Sequence, residues 1–346
     1  MLGFAALSAN LLDLKPELPI TVSSHIFMNL LITNYCSRKC PFCFARSKIG
    51  QVDKASSAQH MSLAQLDEIM DFLERSGDKK LRLLGGEPTL HPELEAIVKR
   101  AMERGFHVHL FSNCMMPRRV ADFLASIPQE QVSLLANVSE NKHDTPQQKE
   151  RVSYALEQLG PRVQLGITVT GPEFSYAYLI ELINRYNLRR RIRVGIAQPI
   201  VGHDNAYLHH SEYRATGRAL AAMALACEQE DILIGFDCGL TMCMFSDEEF
   251  AILARCSEGF KTVCQPILDV GPDMQTWHCF PLSTVLNVDF HAYRDRNAMV
   301  RDFQQKTMPY RSFGCMPECM HCVYLKRGQC TGGCLAHAMQ SFHKPQ

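Results

Sequence analysis

The sequence predicts an α/β fold: a parallel sheet whose strands are joined by helices, followed by a cysteine-rich module. Three observations predict it. From Ile26 to about Pro199, short apolar runs alternate with amphipathic helical stretches, the pattern of a parallel sheet with helical crossovers. Beyond Phe236 that periodicity is lost. Ten of the fifteen cysteines then fall between Cys238 and Cys334. Periodicity alone leaves open whether the sheet closes into a barrel or stays open.

The elements follow in order. His25–Thr33 reads as a buried strand. Ser62–Arg75 reads as a helix with Leu63, Leu66, Ile69, Met70 and Leu73 on one face, started by a capping box of Ser62 and Gln65. Leu81–Leu84 is a short strand. Pro92–Arg104 is a helix that aligns Leu94, Ile97, Val98 and Ala101, and Gly105 stops it. Strands are expected at Phe106–Phe111, Val132–Val138, Val163–Thr170 and Ile192–Ile200. Helices are expected at Pro117–Ser126, Gln147–Leu159 and Ser175–Tyr186. A further helix, Ser211–Glu230, and a strand, Ile232–Phe236, lead into the cysteine-rich region. The expected domains are an N-terminal extension over 1–24, the α/β body over 25–236, and the cysteine-rich module over 237–346.

A chain of 346 residues suits one large domain plus a smaller one. Lys plus Arg and Asp plus Glu stand equal at 36 each, so the basic excess of a nucleic-acid binder is missing. Arg189, Arg190, Arg191 and Arg193 form a short basic run flanking an expected strand that reads as a solvated helix end, with phosphate or carboxylate binding as the alternative. No apolar run has the length of a membrane span, and the start lacks the basic-then-apolar pattern of a secretory signal. These readings predict a cytoplasmic protein without nucleic-acid or membrane partners. Disulfides are rare in a reducing cytosol, so the cysteines predict metal or redox chemistry.

Cys36-Ser-Arg-Lys-Cys40-Pro-Phe-Cys43 directly follows the first expected strand. Three thiolates so spaced on one loop can converge on a metal centre, and soft thiolates favour iron–sulfur or zinc. A structural zinc wants four ligands, and no fourth Cys or His is near. On a four-iron cluster, three ligands leave one iron open. The segment resembles the Cys-x3-Cys-x-aromatic-Cys loop of the radical S-adenosylmethionine (SAM) superfamily, with Phe42 in the aromatic slot. That resemblance implies a 4Fe–4S cluster on Cys36, Cys40 and Cys43 whose open iron binds the amino and carboxylate groups of SAM.

Other segments extend the resemblance. Gly85-Gly86-Glu87-Pro88 is similar to the family's GGEP motif, which holds the SAM amino group. Ser112 and Asn113 stand where relatives carry residues near the SAM ribose and methionine, with Cys114 in place of the usual glycine. Gly195-Ile196-Ala197-Gln198-Pro199 resembles the segment near adenine, and Asn137 and Ser139 end another strand facing the same side. These motifs lie at C-terminal strand ends, where polar residues of parallel α/β barrels face the active site. The resemblance covers about Ile26 to Phe236. It implies a partial (β/α)6 TIM-like barrel and reductive cleavage of SAM to a 5′-deoxyadenosyl radical that abstracts a substrate hydrogen. A reductant such as flavodoxin or ferredoxin is implied with it.

In the C-terminal module, Cys319-x2-Cys322-x7-Cys330-x3-Cys334 has dense metal-ligand spacing. Cys315 precedes it, Cys264 and Cys279 flank Gly271-Pro272-Asp273, and Cys238 and Cys243 form a close pair. Zinc fits the last four taken alone. The order of elements resembles the SPASM/twitch modules of radical SAM enzymes, which implies one or two auxiliary 4Fe–4S clusters on these nine cysteines. The family's final cysteine is absent, and Cys315 is the candidate to replace it. Cys227 and Cys256 read as core residues. SPASM and twitch relatives mostly modify peptides or proteins, which implies maturation of a ribosomally made peptide, with the leader bound either by a separate recognition protein or directly by the barrel. The alternatives are a radical SAM oxidoreductase acting on a small molecule and, from another class, a non-catalytic metal-binding interaction protein.

Overall fold

In the computed structural model the described residues are 27–49, 59–139, 144–259 and 261–340. The expected extension over 1–24 lies outside them, as do the first residues of the expected strand His25–Thr33. Seven strands alternate with six helices: β1 (Met28–Leu31), α1 (Leu63–Arg75), β2 (Lys80–Leu84), α2 (Leu94–Glu103), β3 (His107–Ser112), α3 (Arg118–Ser126), β4 (Val132–Ala136), α4 (Pro146–Leu159), β5 (Val163–Val169), α5 (Ala177–Tyr186), β6 (Arg191–Ile196), α6 (Tyr213–Gln229) and β7 (Leu233–Phe236).

Every neighbouring pair from β1 to β7 is parallel, in sequence order. The sheet does not close, and the architecture is the partial TIM-like barrel expected. Its helices pack apolar faces onto the sheet: α1 buries Leu66, Ile69, Met70, Phe72 and Leu73. The capping box of Ser62 and Gln65 is present, and Thr145 with Gln148 makes a second at α4. Strand β6 is shorter than expected. The Ile200 N–H goes to Asn205 Oδ1 at 2.9 Å, so the chain has left the ladder by then.

Two features differ from the sequence expectations. Arg191 and Arg193 stand on β6, not at a solvated helix end. They point to the same face of a strand, and Arg193 Nε donates to Asp237 Oδ1 at 2.5 Å. The region after Phe236 is also more regular than its lost periodicity suggests. It holds α7 (Asp247–Cys256), β8 (Leu268–Val270), β9 (Gln275–Trp277), β10 (Asn287–Asp289), α8 (Arg296–Thr307), α9 (Val323–Lys326) and α10 (Leu335–Gln340). Strand β8 pairs in parallel with β1, and β9 and β10 follow as antiparallel neighbours, giving ten strands in the order β10-β9-β8-β1-β2-β3-β4-β5-β6-β7. The Asn29 amide donates to Asp269 Oδ1 at 2.7 Å across the β1–β8 junction. Among the described residues no helix is long and apolar enough to cross a membrane.

Candidate active site

The C-terminal ends of the parallel strands carry nearly every residue singled out in the barrel. The β1 and β2 chains stay paired beyond their last strand residues. Gly86 N donates to Thr33 O at 2.8 Å and Glu87 N to Tyr35 O at 2.7 Å. The Gly-Gly segment thus lies against the start of the cysteine loop. A Cβ on Gly86 would sit 2.1 Å from Tyr35 O, and one on Gly85 2.7 Å from Thr33 O. Here glycine is needed for close backbone approach.

Cys36, Cys40 and Cys43 occupy the loop so formed, each half-buried, with Phe42 half-buried among them. Cys43 N donates to Cys40 O at 3.2 Å and Arg38 N to Cys36 Sγ at 3.4 Å. The loop is also held from outside. Ala206 N donates to Pro41 O at 3.0 Å, and the Arg38 guanidinium donates to Ser139 Oγ at 2.6 Å and pairs with Asp144. Burial pushes the Cys43 thiol up to about 11, with the neighbouring Cys40 and Cys36 adding to it. Cys36 and Cys40 are raised chiefly by burial as well. Three neighbouring thiols on one clamped loop, disfavoured as bare thiolates, are a donor set that a positively charged metal centre would satisfy. They fit a cluster bound through three cysteines.

Glu87 is almost fully buried at 1% exposure. Its Oε1 accepts from Thr89 N at 3.2 Å, Thr89 Oγ1 at 2.6 Å and Ser112 Oγ at 2.8 Å, and its Oε2 accepts from Asn113 N at 2.7 Å. Burial raises its pKa and these four donors oppose the rise. The carboxylate therefore ties the end of β2 to the end of β3. Pro88 begins the short 3₁₀ turn Pro88–Leu90 that Glu87 caps. Asn113 Oδ1 accepts from Met115 N at 2.8 Å. Between them Cys114 is fully buried with φ +60°, a left-handed conformation that explains why a glycine suits this position.

Asn137 is exposed at the end of β4, and its Oδ1 overlies Gly166, where a Cβ would come within 2.5 Å. Gln198 buries both its side-chain oxygen and nitrogen with no protein partner, as Asn34 does its oxygen. A buried amide left without partners is costly, so Gln198 and Asn34 fit a site completed by a polar ligand. Asn34, Arg38 and the Arg193–Asp237 pair were not found from the sequence; only their positions near the motifs could have flagged them. His91 has both ring nitrogens engaged, with Met61 O at 3.0 Å and Glu93 N at 3.0 Å, which gives it a structural role.

The nine module cysteines separate into two groups. Cys238, Cys264, Cys279 and Cys334 surround one another. Burial first, then the neighbouring Cys264 and Asp237, push Cys238 up to about 12, and Cys279 is raised by burial and by Cys334, Cys264 and Cys238. Cys243, Cys315, Cys319, Cys322 and Cys330 lie in a second group. Among the described residues no three His, Cys, Asp or Glu side chains gather tightly enough to hold a single metal ion. Cys227 and Cys256 lie in the apolar core.

Residues 30–138 match the model of the Radical SAM superfamily, and the chain therefore carries a radical SAM domain. Its sequence is 31% identical over 94 residues to the 7,8-dihydro-6-hydroxymethylpterin dimethyltransferase of Methanocaldococcus jannaschii, 26% of this chain and 18% of that protein. It is 33% identical over 87 residues to the S-adenosylmethionine-dependent nucleotide dehydratase of Selenomonas ruminantium, 25% of this chain and 29% of that protein. Both matches span well under two thirds of those relatives. The fold is similar to that of Streptococcus suis SuiB, solved with S-adenosylmethionine and with the precursor peptide SuiA. For the S-adenosylmethionine complex the TM-score is 0.65 at 14% identity, over 92% of this chain and 75% of that one.

Proposed function

We propose that this chain is a radical SAM enzyme that acts on a ribosomally made peptide. The observation that carries the reading is the meeting, at the C-terminal ends of β1, β2 and β3, of the Cys36–Cys43 loop with Gly85–Glu87 and Ser112–Asn113. A 4Fe–4S cluster bound on Cys36, Cys40 and Cys43 would supply the one electron that cleaves SAM to methionine and a 5′-deoxyadenosyl radical, which takes a hydrogen atom from the substrate and leaves as 5′-deoxyadenosine.

The chain's own residues do the rest. Arg38, through Ser139 and Asp144, keeps the three-thiol loop in place. Gly85 and Gly86 let the backbone approach closely, and Glu87 locks that segment to Ser112 and Asn113. Asn113, Asn137 and Gln198 offer amide donors and acceptors for the ribose, methionine and adenine of SAM.

Support for a peptide substrate comes from coverage. The likeness to SuiB runs along 92% of the chain and takes in the cysteine-rich region, whereas the two curated relatives named above match only about a quarter of it. We assign auxiliary iron–sulfur clusters to that region, with the barrel over 25–236 and the module over 237–346 as functional units. The reductant and any recognition protein belong to the same proposal.

The test is iron and sulfide content of anaerobically reconstituted protein against the Cys36/Cys40/Cys43→Ala triple variant, with 5′-deoxyadenosine assayed after dithionite and SAM. The reading expects about four irons lost in the variant and 5′-deoxyadenosine from the wild type alone. No 5′-deoxyadenosine from fully loaded protein would overturn it. For the substrate, turnover of a precursor peptide to a product of changed mass supports the peptide reading, and turnover of a metabolite with no peptide bound replaces it.

A further inference from the structure

The inner face of the sheet, away from the helices, carries a polar recess that the SAM motifs do not account for. On β6, Ile192 and Val194 enter the apolar core, so Arg191, Arg193 and Gly195 turn inward, each half-buried. Arg193 stands in register with Gly166 of β5 and Gly235 of β7, and its inward neighbour on β6 is Gly195. Three glycines therefore surround one arginine. Glycine weakens a strand interior and often marks close approach by a ligand or another backbone. Backbone is not what comes nearest here. The atom closest to an added Cβ is Asn137 Oδ1 at 2.5 Å on Gly166, Asp237 Oδ2 at 3.2 Å on Gly195 and Glu258 Oε2 at 3.4 Å on Gly235. The missing side chains leave a recess edged by polar tips.

Arg193 is aimed into it. Asp237 N donates to Val194 O at 2.9 Å, which fixes Asp237 beside β6, and Arg193 Nε donates to Asp237 Oδ1 at 2.5 Å. Among the described residues the Arg193 guanidinium makes no other hydrogen bond, so Nη1 and Nη2 stay free on a side chain that is 33% exposed. The guanidinium also lies over the Phe111 ring, 5.3 Å from its centroid. Phe111 precedes Ser112 and Asn113, so the recess adjoins the strand end assigned to SAM. The carboxyls on this face are already engaged. Asp237 holds Arg193, and Glu258 pairs with Arg191. Asp269 is buried, accepts from Asn29, and has its pKa pushed well up by burial. Arg82 is left with a buried Nη1 that makes no hydrogen bond, and Asp78 Oδ2 stands 4.0 Å away. An anion entering the recess meets a positive surplus.

We propose that the free edge of Arg193 binds a carboxylate of the substrate, so that the peptide places an acidic group in the recess beside the SAM site. A guanidinium held through Nε keeps two N–H groups side by side, which match the two oxygens of a carboxylate. Asp237 is a positioning residue that aims this fork. The inference rests on the reading above that the chain acts on a peptide.

The experiment labels loaded full-length protein with phenylglyoxal in the presence of SAM, with mass spectrometry of the peptide that carries Arg193 as readout. Acetyl-glutamate methylamide at ten times its dissociation constant should slow labelling of Arg193 about tenfold. Acetyl-glutamine methylamide should not slow it, and labelling of Arg118, exposed on α3, should not change. In ligand-observed NMR, Arg193→Gln should bind the glutamate probe about tenfold more weakly or worse, with Arg193→Lys in between and SAM affinity as in wild type. Slowing by acetylglycine in place of the glutamate probe would support the site with a chain-terminal carboxylate as its source. Slowing by succinate alone would support the carboxylate site and overturn the peptide reading. Equal slowing by the glutamine probe, or none by any carboxylate, would overturn the proposal and leave Arg193 as the structural partner of Asp237. Failure of the radical reading would show instead as missing 5′-deoxyadenosine, on which this labelling does not depend.

Discussion

Gly86 lies so close to Tyr35 that a side chain there would put its Cβ 2.1 Å from the Tyr35 carbonyl oxygen. The neighbouring residue is Cys36, so whatever displaces this contact displaces the first thiol of the loop. Gly86→Ala should therefore act twice. It should destabilise the fold by about 1–3 kcal/mol through overpacking. It should also reduce iron retained by the first loop, while leaving module iron in place. Thermal unfolding together with iron content measures both. Full iron with ordinary stability would mean that the loop shifts freely, against the clamped geometry described here.

Glu87 is the second joint of the same corner. Four donors point at its two oxygens, and glutamine can accept with only one of its two terminal atoms. In Glu87→Gln either the Asn113 N–H or the Thr89 and Ser112 hydroxyls would face an amide NH2. Losing a partner for a buried group costs about 1–3 kcal/mol. We expect that loss of stability and a weakened affinity for SAM, because Asn113 loses its anchor. Calorimetric titration with SAM on loaded protein checks the second part. Unchanged affinity would confine Glu87 to a purely structural role.

The sheet was legible because its signal is local. Strands β2 to β7 and helices α1 to α6 begin and end within a few residues of their periodic patterns, and the Ser62–Gln65 capping box could be read from two side chains. Strands β8, β9 and β10 were not legible, since three residues each are too short to show a period of two. The site split along the same line. Cys36, Glu87 and Asn113 stand in contiguous motifs. The Arg38 contacts to Ser139 and Asp144 reach across 101 and 106 residues, and no pattern in the chain announces them. The short basic run was misread for a related reason: on β6 alternate residues face opposite sides, and only the fold shows that Arg193 meets Asp237.

Cys114 tests whether the missing glycine matters. The left-handed conformation at φ +60° costs a side-chain-bearing residue about 1–2 kcal/mol, and burying the side chain returns roughly the same amount. Cys114→Gly removes both terms. Its stability should stay within about 1 kcal/mol of wild type, with iron content and 5′-deoxyadenosine yield unchanged. Loss of iron in this variant would instead make the thiol a ligand.

His109 makes the acid stability of the barrel testable. The ring stands on β3, its Nδ1 2.8 Å from Ser133 Oγ, and its edge meets Phe111 at 5.0 Å. Burial, then the charges of Arg82 and Arg193, depress its pKa from 6.5 to about 3. The unfolded chain therefore binds the extra proton across the window between these values, and the folded chain does not. The neutral ring's contribution is fully present above pH 6.5 and declines as pH falls toward 3. At pH 5 the loss amounts to about 2 kcal/mol. Wild-type protein should lose more thermal stability between pH 7 and pH 5 than His109→Gln, whose side chain does not titrate. Cluster chemistry common to both proteins cancels in that difference. Equal losses in the two would mean that His109 accepts a proton in the folded state without penalty, and that the sheet interior beside Arg82 and Arg193 is wetter than its packing indicates.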